Sequence, residues 1–135
     1  MAMRTILIAY GATALAFLAL DAVWLGTMVG NFYRPRIGAL LLEQPRLGVA
    51  VAFYLLYVAG VVVFAVLPGL RAEGWATALL LGMGLGLFAY GTYDLTNLAT
   101  LRGWSVAVTV VDMVWGAAVT GVAALAGAQA ARWLG

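Results

Sequence analysis

Four long apolar runs alternate with three short polar links along this chain. The runs cover residues 6–30, 49–67, 76–101 and 105–130. Each is close to or above the length of about 20 residues that carries a helix across a bilayer. The first run, behind Arg4, has the look of a signal segment. It is longer than the usual apolar core of about 7–15 residues, and Asp21 interrupts it, so it reads as a retained span. The link from Asn31 to Gly48 holds Arg34, Arg36, Glu43 and Arg46. Between its prolines Pro35 and Pro45, the residues Ile37, Leu40 and Leu41 fall on one helical face. That pattern predicts either a short helix lying in the membrane interface or an irregular loop. Pro68-Gly69 is expected to close the second run, and Arg102-Gly103-Trp104 to make a tight turn. Trp75 and Trp104 stand where interfacial aromatic anchors belong. The prediction is an all-α fold, an antiparallel four-helix transmembrane bundle forming a single domain over residues 1–135.

The polar positions inside the runs are not scattered. Threading the runs up and down places Asp21 near the end of the first, Asp94 near the end of the third and Asp112 near the start of the fourth. Tyr54 and Tyr57 lie near the start of the second. All five fall on the side of the midplane that bears the Asn31–Gly48 link, here called the first face. A rise of 1.5 Å per residue puts the carboxylates about 10–14 Å below it. At about 100° per residue they also point inward together. Tyr10, Phe17, Asp21, Trp24 and Met28 share one stripe. Gly82, Gly86, Tyr90, Tyr93, Asp94 and Asn97 share another, and Ser105, Thr109, Asp112, Trp115, Gly116 and Val119 a third. Gly26 and Gly30, Gly82 and Gly86, and Ala117 and Gly121 are four apart, the spacing that lets helices approach closely in lipid or in a dimer.

Composition narrows the chemistry. Only 9% of the 135 residues are charged and the mean hydropathy is +1.07, so the chain is built for lipid. It contains no Cys, no His and no Lys, which excludes disulfides, thiolate nucleophiles, His-ligated haem, the usual zinc sites and Schiff-base lysines. Seven arginines spread over links and ends make no nucleic-acid surface. Arg34, Arg36, Arg46 and Arg102 on one face balance Arg4, Arg71, Arg132 and the amino terminus on the other, so charge does not orient the bundle.

Ionised acids inside a membrane are expensive and mark functional sites by default. Three at one depth would repel one another. The relief is a shared proton, an arginine reaching down, or a hard cation such as Mg²⁺ held by carboxylate and Asn oxygens. No other cofactor is recognisable. Trp24 and Trp115 each lie one helical turn after an Asp and are placed to wall a pocket. The plainer alternative is structural: the acids bond tyrosines and backbone and fix the helices in place.

Several of these blocks together are similar to a known family. They are Asp21-Ala-Val-Trp24-Leu-Gly26, Phe32-Tyr33-Arg34, Tyr54-Leu-Leu-Tyr57, Tyr90-Gly-Thr-Tyr-Asp-Leu-Thr-Asn97, Trp104 and Val111-Asp-Met-Val-Trp115-Gly116. The chain resembles the small four-helix bacterial membrane proteins described as a domain of unknown function, "predicted membrane protein". The resemblance implies the fold and a multi-pass protein of the bacterial inner membrane. It carries no activity.

The functional expectation is a one-sided pocket that binds, or modifies, a membrane lipid or small amphiphile. Its candidate residues are Asp21, Trp24, Arg34, Arg36, Tyr54, Tyr57, Tyr90, Tyr93, Asp94, Asn97, Asp112 and Trp115. Arg34 and Arg36 would attract an anionic headgroup, and Asp94 with Asp21 or Asp112 would act as acid, base or cation holder. The alternatives are a proton-coupled small transporter working as a homodimer, and an accessory subunit of a larger membrane complex. Transport needs polar groups along the whole crossing, whereas here they crowd one half.

Overall fold

The computed structural model describes residues Met1–Gly135. They form four long helices and no strand. Helix α1 spans Met3–Leu40, α2 Leu47–Arg71, α3 Ala76–Thr100 and α4 Val106–Leu134. All four are long and apolar enough to cross a membrane.

Two helices run through a proline where the sequence predicts a break. In α1 the α-helical stretch Met3–Met28 is followed by a π turn, Val29–Tyr33, and the helix then continues through Arg34–Ile37 to a last tight turn at Gly38–Leu40. In α2 a π turn at Val62–Val66 precedes Leu67–Arg71. The physical reason is the same in both. A proline ring inside a helix presses on the carbonyl four residues earlier. For Pro35 that residue is Asn31 and for Pro68 it is Phe64, and each lies within its π turn. The wider turn swings that carbonyl clear of the ring. The expected separate interfacial helix is therefore the end of α1, and Pro68-Gly69 lies inside α2 rather than at its end.

Glycines set the closest helix pair. On α3, a Cβ at Gly82 would meet Thr120, Gly121 and Ala124 of α4 at 2.8–2.9 Å, and one at Gly86 would run into the Gly116 carbonyl. Gly91 faces Met113. The partner numbers fall along α4 as they rise along α3, so the two helices are antiparallel. Helix α4 opposes α1 in the same sense: Gly127 faces Ala9 and Thr13, and Gly135 comes against Thr5, which brings both chain ends to one end of the bundle. By contrast Gly26 and Gly30 meet no other part of the chain.

The ends of the bundle are packed differently. At the chain-end side Ala9, Val58, Val61, Val62, Ala65, Val66, Ala78, Ala124, Ala128 and Ala131 form a continuous buried cluster. Arg132 fastens the α2–α3 link over it, donating to the carbonyl oxygens of Gly69 at 2.7 Å and Ala72 at 3.2 Å. Toward the first face the packing opens. From Val62 onward α2 packs on α3 and α4, but its first half rests on α1 and stands off the other two. The turn into α4 is fixed by Gly103, whose φ of 75° a side chain would resist, and by the Ser105 hydroxyl, which caps the Val108 N–H at 3.2 Å.

Candidate functional site

The opening between the splayed half of α2 and the other helices is a cavity of about 480 Å³. This is within the range of about 300–1,000 Å³ common for small-molecule sites. Residues between Phe17 and Ile37 of α1, Leu41 just beyond its end, residues between Ala50 and Tyr57 of α2, Ala89 and Asp94 of α3, and Val108 and Trp115 of α4 line it, with Trp104 of the turn. All belong to the first-face half. Its deep end is aromatic. Phe17, fully buried, packs edge-on to Tyr57 at 5.5 Å between ring centroids and lies 5.8 Å from Tyr54. The Tyr57 hydroxyl pairs with Thr120 Oγ1 at 2.9 Å. Tyr90 completes this floor, and its ring fits because Gly116 presents no side chain: a Cβ there would occupy the ring itself.

The three carboxylates are treated unequally. Asp21 Oδ2 accepts the Tyr54 hydroxyl at 2.7 Å and Oδ1 accepts the Trp115 indole N–H at 3.1 Å. Asp112 Oδ1 accepts the Tyr33 hydroxyl at 2.8 Å, and Tyr33 in turn accepts the Trp24 indole N–H at 3.0 Å. Trp24 and Trp115 stack at 4.3 Å with planes 5° apart. The two Asp-x-Val-Trp blocks of α1 and α4 thus brace each other crosswise. The Trp of α4 serves the Asp of α1, and the Trp of α1 serves the Asp of α4 through Tyr33. Asp94, on α3, is fully buried, and no tyrosine, indole or backbone group donates to either of its carboxyl oxygens. Its carboxyl meets that of Asp112 within hydrogen-bonding reach, so the two acids are placed to share a proton. The plain structural reading therefore holds for Asp21 and for one oxygen of Asp112, and fails for Asp94.

Nine sequence candidates line the cavity: Asp21, Trp24, Tyr54, Tyr57, Tyr90, Tyr93, Asp94, Asp112 and Trp115. Arg34, Arg36 and Asn97 do not. Arg36 lies over the Phe32 ring at 4.0 Å and donates to the Phe32 carbonyl at 3.1 Å, and both arginines are exposed. No basic side chain reaches the carboxylates, and no three acidic groups come close enough to hold one metal ion.

Tyr33 is the site residue that helical periodicity misses. It lies nine residues after Trp24, so at about 100° per residue a straight α-helix would put it half a turn away. The π turn ending at Tyr33 breaks that count and brings its hydroxyl inward. Pro35, four residues beyond Asn31 and following an apolar run, is the signal in the sequence that such a turn is needed. Trp104 is also brought in from the link: its indole N–H donates to Thr109 Oγ1 at 3.1 Å, and its ring meets Tyr93 edge-on at 5.5 Å.

Beside the cavity runs a second, almost wholly apolar groove of about 360 Å³ on the outer side of α2 and α3. It is lined by Phe53, Leu56, Tyr57, Ala59, Gly60, Val63, Phe64 and Leu85, and so shares Phe53 and Tyr57 with the cavity.

Comparison with curated proteins and with solved structures finds no match. Residues 6–129 do match the family described as "Predicted membrane protein (DUF2177)". Since that match covers most of each of the four helices and every residue of the carboxylate cavity, the chain belongs to the DUF2177 family of membrane proteins.

Proposed function

We propose that this membrane protein binds an amphiphile from the surrounding leaflet. The head enters the carboxylate cavity and the hydrocarbon tail leaves sideways along the α2–α3 groove. The observation that carries this reading is Asp94. A buried polar group without a hydrogen bond costs about 1–3 kcal/mol, and more when charged. The tight glycine packing of α3 on α4 holds Asp94 in that position. A group kept at such a cost beside a cavity supports a partner supplied from outside.

The groove supports an amphiphile over a small water-soluble ligand, because it adjoins the cavity through Phe53 and Tyr57 and offers almost nothing to hydrogen-bond. The packed chain-end half supports a blind pocket over a conduit. A solute crossing there would meet alanine and valine at each depth, with few groups to replace its water.

The test is native mass spectrometry of the protein released from mild detergent. A lipid or amphiphile should remain on the wild-type chain and be lost from Asp94→Asn, with helix content unchanged by circular dichroism. Equal retention by the two proteins would remove Asp94 from the site and sink the reading.

A further inference from the structure

The hydrogen-bonding inventory of the cavity states what kind of head fits it. Most of its donors are committed; the Tyr90 and Tyr93 hydroxyls are the lining donors without a partner, and a hydroxyl accepts as readily as it donates. The indoles of Trp24, Trp104 and Trp115 and the hydroxyls of Tyr33 and Tyr54 all donate to acceptors within the protein. Its acceptors are not. Asp21 has a donor on each oxygen, Asp112 has a tyrosine donor only on Oδ1, and Asp94 meets only the Asp112 carboxyl, with no donor from a tyrosine, an indole or the backbone. Three carboxyl oxygens of this facing acid pair take no donor from a neutral or basic side chain: both of Asp94, which are buried, and the second of Asp112. No arginine lines the cavity, and the chain contains no lysine or histidine. A phosphate or carboxylate head would set acceptors and negative charge against acceptors and negative charge. A sugar head would bring donors but leave the charge unbalanced. A primary ammonium carries three N–H donors, one positive charge and no acceptor.

Building on the amphiphile reading above, we infer that the cavity takes the primary ammonium head of an amphiphile, its N–H groups donating to Asp94 and to the free oxygen of Asp112. Aromatic walls add to the fit, since ring faces attract a desolvated cation. The fixed acceptors separate a primary ammonium from a quaternary one. A trimethylammonium head keeps the charge but has no N–H to give Asp94. The same head chemistry occurs on a free long-chain amine and on phosphatidylethanolamine.

The experiment is a binding series by isothermal titration on the full chain in non-ionic detergent. The ligands share one dodecyl tail: dodecylamine, dodecyltrimethylammonium, dodecyl phosphate and dodecyl glucoside. Dodecylamine should bind tightest, by about tenfold or more over the trimethylammonium compound, because a hydrogen bond to a charged group is worth about 1.5–3 kcal/mol. Asp94→Asn should lose that preference. If the phosphate, the glucoside or the trimethylammonium compound binds as tightly as the amine, the head assignment is overturned while the amphiphile reading stands. If none of the four binds, the amphiphile reading itself falls. The wild-type series decides the matter even if Asp94→Asn does not fold. Displacement of bound dodecylamine by phosphatidylethanolamine in mixed micelles assigns the site to a membrane phospholipid. Failure to displace it assigns the site to a single-chain amine.

Discussion

Trp115 on α4 donates its indole N–H to the Asp21 carboxylate on α1, at 3.1 Å and across 94 residues of sequence. The same bond joins the two outer spans at the depth of the cavity and occupies the oxygen of Asp21 that Tyr54 leaves free. It therefore leaves Asp21 with no carboxylate oxygen lacking a donor.

Trp115→Phe keeps the stack on Trp24 and removes only the donor. Hydrogen bonds between membrane helices average about 0.6 kcal/mol, with a maximum of about 1.7 kcal/mol, lower than burial alone suggests, because the unfolded chain in lipid also finds partners. The expected loss is at the upper end, about 1–2 kcal/mol, since the acceptor is a buried carboxylate. A denaturation series in detergent micelles measures it. A double-mutant cycle with Tyr54→Phe should show coupling, because both donors serve Asp21. Purely additive effects would mean that Asp21 is not the shared acceptor.

Gly86→Ala and Gly84→Ala should move stability in opposite directions although they lie two residues apart on α3. A Cβ at Gly86 would drive into the Gly116 carbonyl, which is backbone and cannot step aside. Overpacking of this kind costs about 1–3 kcal/mol. At Gly84 a Cβ meets nothing within 4 Å, so the substitution gains helix propensity of up to about 1 kcal/mol. Thermal unfolding of both variants under one detergent condition decides it. Equal shifts would count against the close α3–α4 approach.

The two chain ends should lie on the same side of the membrane. Gly135 comes against Thr5 in the structure, and four alternating spans require it. Reporter fusions at the amino and carboxyl ends that report opposite compartments would break the four-span topology.

Much of the site is legible in the sequence because it sits on regular α-helix. Asp21 with Trp24, Asp112 with Trp115, and Tyr90 with Asp94 are each one turn apart, so a constant angle per residue finds their common face. Depth follows from the same regularity, since rise per residue is fixed. Reading fails where the helix stops being regular. Tyr33 lies at the end of a π turn that shifts its angle, and the proline responsible reads as a helix start instead. Arg34 and Arg36 were expected at the cavity on charge alone, but the turn that carries Tyr33 and Ile37 inward leaves both arginines exposed. Asn97 shares the stripe of Asp94 but does not reach the cavity wall. No rule of spacing could separate the saturated Asp21 from the bare Asp94. That difference depends on which donors the other three helices bring.

That difference yields the sharpest prediction: leucine at Asp21 and leucine at Asp94 should have opposite effects on the empty protein. Removing Asp21 orphans the Tyr54 hydroxyl and the Trp115 indole together. Each stranded donor costs about 1–3 kcal/mol, so Asp21→Leu should destabilise strongly. Removing Asp94 orphans no tyrosine, indole or backbone donor, and its acidic neighbour Asp112 keeps the Tyr33 hydroxyl. It deletes a buried polar group and puts an apolar side chain beside a cavity that has room for the added bulk. Asp94→Leu should therefore raise the stability of the ligand-free protein, by about 1–3 kcal/mol. It should also abolish the ligand-dependent stabilisation that binding gives the wild type. Stability gained where function is lost is the expected mark of a residue retained for its ligand. Thermal unfolding with and without dodecylamine reads both effects. If Asp94→Leu unfolds as readily as Asp21→Leu, then Asp94 is held in place by partners of its own, and the reading of the cavity as a site awaiting a donor fails.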